Sequence, residues 1–262
     1  TATAWQTLDF TEFFEWDGTS NIIVDISFSS DYGTTTTVVK GENMGWNSSL
    51  LSQTEDLYFD FNGPDFVDAL EENLDGFGNE VTVSFWLNGS EEQPQSDYVF
   101  EAVSEDGNRI IGTHLPWSDG KIYWDAGTNA SYDRLEKNAD NPEQYRGTWN
   151  HWALVKKAQL GQMKIYLNGE VWHEGTGKFM PIGEIANLIL GRSGMSFYND
   201  RFYDDKLDEF RIWSKCLDQE TIAEWMYKNI DETHPDYDSL RAYYQFNDNV
   251  EFTTLESVSG MY

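Results

Sequence analysis

The stretch THLPWSDGKIYWDAGT, residues 113–128, gathers a histidine, two tryptophans, a tyrosine and several charged side chains around one turn. Those residue types suit sugar recognition, in which a flat aromatic covers the apolar face of a ring and fixed polar groups meet its hydroxyls. Strand parity sorts them. With Ile122 buried, Trp124 shares its face and joins the core, while Lys121, Tyr123 and Asp125 turn the other way. Leu115 goes inward with Ile111, and residues 110, 112 and 114 point outward. Pro116, Ser118, Asp119 and Gly120 shape the turn that carries Trp117. The outward set of His114, Trp117, Tyr123 and Asp125 is a candidate carbohydrate site, and Tyr132 and Arg134, in a loop SYDRLEK, extend it. Trp117 has two readings: a platform for a ligand, or a lid folded over the turn onto the core.

Other chemistries find less to work with. There is no G-x-S-x-G, and Cys216, the sole cysteine, sits between a strand and a helix as a small apolar filler, so no intrachain disulfide forms. His114, His151, His173 and His234 are far apart and lack the spacing of transition-metal ligands. Lys and Arg number 17 against 46 Asp and Glu, a net charge of −29 that repels phosphate backbones and anionic headgroups alike. Nucleic acid is therefore not an expected partner. No apolar run approaches bilayer length and no signal-like leader opens the chain, so the expectation is a protein that does not insert in a membrane, in mature form or cut from something longer. The many carboxylates could hold hard cations, although most acidic side chains simply face solvent.

The elements that must position these groups are strands. The composition, 39% hydrophobic and 16% aromatic, supports one large core, and short apolar alternations bounded by turn residues recur along the chain. They include NIIVDISFS, EVTVSFWLNG, DYVFEAVS, NRIIGTHL, GKIYWDAG, NHWALVKK, NLILG, LDEFRIW and LRAYYQF. Such spacing means an all-β sandwich or barrel. Asn168-Gly169 suits a type I′ turn joining QMKIYL to EVWHEG, with Ile165 facing Trp172 and Lys164 facing His173. Trp86, Trp149 and Trp152 are expected inside. One short amphipathic helix is expected near 218–230, capped by Asp218, with Ile222, Trp225, Met226 and Ile230 on its apolar face.

Taken in order, FDFNGPDFV (59–67), VTVSFWLNG (81–89), WNHWALVKKAQLGQMKIYLNGEVW (149–172), LDEFRIWSKCLDQETIAEW (207–225) and LRAYYQF (240–246) resemble the laminin-G-like group of the concanavalin A-like jelly rolls. HLPWSDGKIYWDAG, with WDGTSNIIVDISF upstream, is further similar to modules of large secreted and surface proteins of Bacteroidetes-type bacteria. The resemblance covers roughly residues 55–260. It implies a two-sheet antiparallel jelly-roll sandwich over 51–262, behind a leading segment at 1–50 whose strands precede or belong to the sandwich. It also implies glycan or protein binding and a structural Ca²⁺ held by Asn62 and Asp65 after FDF and by Asp208 of the closing strand, oxygen donors that suit a hard cation.

Enzymes also occur among such jelly rolls. Their glucanases carry two carboxyl groups on one strand as E-x-D-x-x-E, and no acidic cluster here has that spacing. A lyase would want an arginine, a histidine or glutamine, and a tyrosine on one face; Arg109, His114, Tyr123 and Arg134 could be arranged so, but the ordered strand motifs of lyase relatives are missing. The reading is a non-catalytic carbohydrate-binding module of a secreted or cell-surface protein, with a structural calcium. The alternatives are an adhesion or spacer module that binds another cell-surface protein, and a polysaccharide lyase or glycoside hydrolase.

Overall fold

Val81, Val83, Phe85 and Leu87 alternate along one strand and all four are fully buried, the signature of a sheet with one face on the core. Each such side chain contributes about 1.5–3 kcal/mol when removed from water. The same period recurs in the computed structural model of the chain, which describes residues 58–61, 66–69, 74, 76–195 and 201–246. The leading segment 1–50, with the strand expected at NIIVDISFS, and the expected cation ligands Asn62 and Asp65 lie outside the described residues.

The strands are β1 (Phe59–Asp60), β2 (Val67–Ala69), β3 (Glu80–Asn88), β4 (Phe100–Val103), β5 (Arg109–His114), β6 (Lys121–Thr128), β7 (Ser131–Asn138), β8 (Asn150–Lys157), β9 (Gln162–Leu167), β10 (Glu170–Gly175), β11 (Asn187–Leu190), β12 (Lys206–Trp213) and β13 (Leu240–Tyr244). The helix α1 spans Gln219–Trp225. One sheet has seven strands in the order β1-β12-β3-β8-β9-β10, with β13 also on β12; the other has six, in the order β2-β11-β4-β5-β6-β7. Every pairing is antiparallel. The inner faces meet in one core that includes Phe85, Phe100, Ile111, Trp124, Trp152, Leu188 and Phe210. Among the described residues the chain forms the expected two-sheet sandwich with one short α-helix.

Three local features depart from simple alternation. Asn168 and Gly169 do adopt positive φ, 50° and 81°, as the I′ turn demands. Yet the register shifts between Val171 and His173, so Ile165 pairs with His173 and Lys164 with Glu174. The bulge leaves Trp172 free to lie edge-on to Trp152, ring centroids 5.6 Å apart. A second shift lies between Ala102 and Val103, where β5 carries one extra residue and both Ile110 and Ile111 become buried. SYDRLEK, read from sequence as a loop, is the strand β7, paired with β6 from Lys121↔Asn138 to Thr128↔Ser131. Its only buried residue is Leu135, because an edge strand with one wet face needs little more.

The outer face of the seven-stranded sheet holds a second cluster, in which Val155, Tyr166, Trp213 and Leu217 pack with Ile222 and Trp225 of α1. Asp218 caps the helix as expected, its carboxylate accepting the Thr221 amide at 2.8 Å. The helix is shorter than 218–230, and Ile230 reaches the cluster from beyond its end. Trp152 is in the inter-sheet core, but Trp86 and Trp149 are only half-buried and absent from it. Trp86 instead donates its indole N–H to the Met226 carbonyl at 2.9 Å, pinning the helix end, and Trp149 meets Tyr58 edge-on. Lys156 crosses between the sheets: fully buried, it donates to the Ala126 carbonyl at 2.6 Å and to Asp133 at 2.8 Å.

Candidate functional site

Trp124 is fully buried in the core, and its neighbour Tyr123 faces the opposite way, onto the outer face of the six-stranded sheet. On that face lies a cleft of about 450 Å³. His114, Trp117, Tyr123, Tyr132 and Arg134 all line it, joined by Tyr98, Arg109, Asp119 and Arg201. Five of the six residues singled out from sequence therefore share one concavity. The sixth, Asp125, is placed under its floor, with no exposed surface.

The floor is a cross-strand row. Glu101, Gly112, Asp125 and Arg134 stand side by side on β4, β5, β6 and β7. A side chain at Gly112 would begin 3.5 Å from Arg109 Nε and 3.3 Å from the Phe100 carbonyl oxygen. Its absence gives the Arg109 guanidinium room to bridge Glu101 and Asp125. Alternation alone sends Arg109 inward with Ile111; the extra residue in β5 reverses it. Arg134 then grips Asp125 with two nitrogens, Nε to Oδ1 and Nη2 to Oδ2, both at 2.7 Å. The remaining oxygen of Glu101, Oε2, accepts the Ser193 hydroxyl and the Gly194 amide at 2.7 Å each. The result is an alternating row of carboxylates and guanidiniums in which every carboxylate oxygen is taken.

The walls are aromatic. Trp117 rides on a turn closed by its own amide to the Lys121 carbonyl and by the Gly120 amide, at φ 81°, to the Trp117 carbonyl. Its ring meets His114 edge-on at 4.5 Å and Tyr98 at 5.9 Å, and it takes no part in the inter-sheet core. Trp117 therefore covers His114 and Tyr98 on the outer face and does not fold over the inter-sheet core. The Arg134 guanidinium lies 4.6 Å from the Tyr123 ring and 5.4 Å from Tyr132, which is 39% exposed, and Arg201 lies 5.2 Å from Trp117.

Electrostatics fix the protonation of this wall. His114 Nδ1 lies 2.7 Å from the Asp97 carbonyl oxygen, so that nitrogen is the donor and the neutral ring keeps Nε2 as an acceptor. Burial, with Arg109 nearby, pushes its pKa down to about 4. Tyr123 donates its hydroxyl to Asp119 Oδ2 at 2.6 Å; burial and that bond push the phenol up to about 12. Burial works to raise the Asp119 carboxyl, but the bonds from Tyr123 and the Lys121 amide outweigh it and hold the acid below its usual range. Behind His114, the Gln93 side-chain amide donates to Asp97 and Asp205, at 2.7 Å each. Burial and mutual repulsion raise Asp97 to about 7, and burial raises Asp205 to about 6.

Tyr98, Asp119 and Arg201 are the site residues that sequence reasoning did not assign. Tyr98 precedes its strand, Arg201 comes from the distant YNDRFYDD segment, and Asp119 reads in the sequence as a turn former. Of the three oxygen donors implied for a cation, Asp208 is buried on β12 opposite Trp86, its Oδ1 accepting the Glu209 amide at 2.8 Å. Asn62 and Asp65 lie outside the described residues. Among the described residues no three His, Cys, Asp or Glu side chains converge on a metal position.

Comparison with solved structures returns the same fold. The chain superposes on a SAP-like pentraxin from Limulus polyphemus with a TM-score of 0.50 at 17% identity, over 66% of this chain and 84% of that one. A candidate carbohydrate-binding protein from Bacteroides ovatus gives 0.52 at 17%, over 73% and 52%. The binding domain of botulinum neurotoxin serotype D gives 0.50 at 18%, over 64% and 41%. This chain spans about half, or less, of the latter two. No curated protein matches it in sequence. The sequence model of the concanavalin A-like lectin/glucanases superfamily matches residues 61–223, more than half the chain. With two antiparallel sheets around one core and that match over their strands, the chain belongs to the concanavalin A-like lectin/glucanases superfamily.

Proposed function

We propose that the chain is a non-catalytic carbohydrate-binding module whose ligand lies in the cleft of the six-stranded sheet. The observation that carries this reading is the cleft itself: the rings of Tyr98, Trp117, Tyr123 and Tyr132 surround a floor of fixed polar groups. Aromatic faces with convergent polar atoms are the usual means of holding a sugar ring. The solved structure named as a candidate carbohydrate-binding protein supports it at the level of fold. A glycan array followed by calorimetry tests it. Trp117→Ala should weaken binding of any glycan that scores at least about tenfold, as loss of an aromatic anchor commonly does, without changing the melting temperature. A cleft that retains no glycan, on a protein that captures a purified surface protein instead, would favour the adhesion reading.

A cleaving enzyme is the second reading, because Arg109, His114, Tyr123 and Arg134 do share this cleft. Their bonds favour binding. Arg109 and Arg134 are committed to Asp125, and the Tyr123 phenol is held too high to serve as a base at neutral pH. Turnover of acidic or neutral polysaccharide, lost on His114→Ala, would reverse that preference.

The proposal also includes a structural Ca²⁺ bound by Asn62, Asp65 and Asp208. What supports it is the donor set, all hard oxygen, and the burial of Asp208 on the closing strand. When bound, the ion would tie the turn after β1 to β12. It further includes a secreted or cell-surface location and a sandwich domain over 51–262 behind the 1–50 segment. Among the described residues no helix is long and apolar enough to cross a membrane.

A further inference from the structure

We infer that the ligand of this cleft is a neutral glycan chain of at least two linked sugars, laid along β6 with one sugar against Trp117 and a later one at Asn108 and Ser131. The inference rests on the glycan reading and adds the charge and minimum length of the ligand. It comes from how the lining is spread along one strand. The turn that carries Trp117 and Asp119 leads into β6, and the turn from Thr128 to Ser131 leads out of it; both line the cleft. Tyr123 and Thr128 stand about 17 Å apart along β6 at a rise of about 3.4 Å per residue. A single pyranose ring does not reach that far.

The two ends differ in kind. At the Trp117 end the lining is aromatic, with Tyr98, His114 and Tyr123 around the indole, and suits the apolar face of a ring. At the other end it is amide and hydroxyl. There the Asn129 carbonyl oxygen accepts the Asn108 amide at 2.6 Å and the Ser104 hydroxyl at 2.9 Å, and the Asn129 amide donates to Asp106 at 2.7 Å. That network holds Asn108 in place with its own carbonyl oxygen left for a ligand, beside the exposed Ser131. Charge is balanced between the ends: Arg109, Arg134 and Arg201 are matched in number by Glu101, Asp125 and Asp119, and the His114 ring is neutral. Neither an anion nor a cation gains from such a site, and the net charge of −29 disfavours the approach of a polyanion. Hydroxyls, which both donate and accept, match its mixture of N–H, O–H and carbonyl groups.

The test is an array printed with neutral gluco-, manno-, xylo- and galacto-oligosaccharides and with oligouronates and sialosides. Calorimetry on the whole chain then uses the one- to four-unit series of the highest-scoring neutral linkage. The tetrasaccharide should bind at least about tenfold tighter than the monosaccharide, the worth of one or two added hydrogen bonds. Asn108→Ala and Ser131→Ala should narrow that ratio several-fold by weakening the longer ligand alone, Ser131→Ala at unchanged melting temperature. Trp117→Ala should weaken both ligands. Binding confined to acidic glycans, equal affinity for one unit and four, or a ratio that neither variant at the far end narrows would overturn the inference and leave the glycan reading standing. A blank array would take down the glycan reading and this inference with it.

Discussion

The His114 ring and the carboxyl of Asp97, the residue whose backbone carbonyl meets His114 Nδ1, have opposite pH dependence. The His114 ring, held neutral with a pKa near 4 against an ordinary 6.5, contributes stability that is present above pH 6.5 and lost as pH falls toward 4. The Asp97 carboxyl, raised to about 7 from 3.8, contributes stability that is present below pH 4 and lost as pH rises toward 7. The wild-type profile between pH 4 and 7 is accordingly flattened. Asn at position 97 stands in for the protonated acid and does not titrate. Relative to wild type, Asp97→Asn should become progressively more stable as pH rises through that window, by at most about 1.4 kcal/mol per pH unit. Chemical denaturation at pH 4.5, 6 and 7.5 would show it; a constant offset would mean that Asp97 is ionised throughout. The opposed faces of Tyr123 and Trp124 were legible from alternation alone, because parity needs only one buried reference such as Ile122. Nothing in the string shows that Gln93 would bring Asp97 to Asp205, since that contact spans 112 positions.

Strand placement followed the sequence wherever a strand buries one full face. NHWALVKK became β8 without a change of boundary, and LDEFRIW became β12 with one residue added. Legibility failed at bulges and at the edge. A bulge shifts side chains from one face to the other with no compositional mark, which hid the outward turn of Arg109 and moved the partners of Ile165 and Lys164. The edge strand β7 lacks the apolar density that announces a strand, although it delivers both Tyr132 and Arg134. Its distance from β6 depends on Gly127, where a β-carbon would stand 2.3 Å from the Ser131 carbonyl oxygen and from Tyr132 Cα. Backbone must move to admit one. Gly127→Ala should therefore push the start of β7 outward and weaken ligand affinity several-fold, out of proportion to a loss of stability of about 1–3 kcal/mol. Affinity retained at the wild-type value would show that Tyr132 is not held in place from this end of the hairpin.

For the molecule as a whole, the sandwich must fold within a chain whose net charge is −29. Interior ties such as Lys156, bonded to Ala126 and Asp133 across the two layers, act against that repulsion locally but leave the field at the surface in place. Raising NaCl from about 10 to about 150 mM shortens the screening length from about 30 to about 8 Å, so the melting temperature should climb with salt and then level off. A calcium ion bound only by the native state would act differently. At fixed ionic strength, Ca²⁺ at about a hundred times its dissociation constant would add about 2.7 kcal/mol. EDTA would remove that increment without touching the salt-dependent part, and Mg²⁺, which demands a tighter octahedral shell, would not replace it. Asp208→Asn should abolish the calcium increment and keep the salt response. Melting curves that respond to CaCl₂ no more than to NaCl of equal ionic strength would remove the metal from the proposal, because screening by itself then accounts for the whole effect.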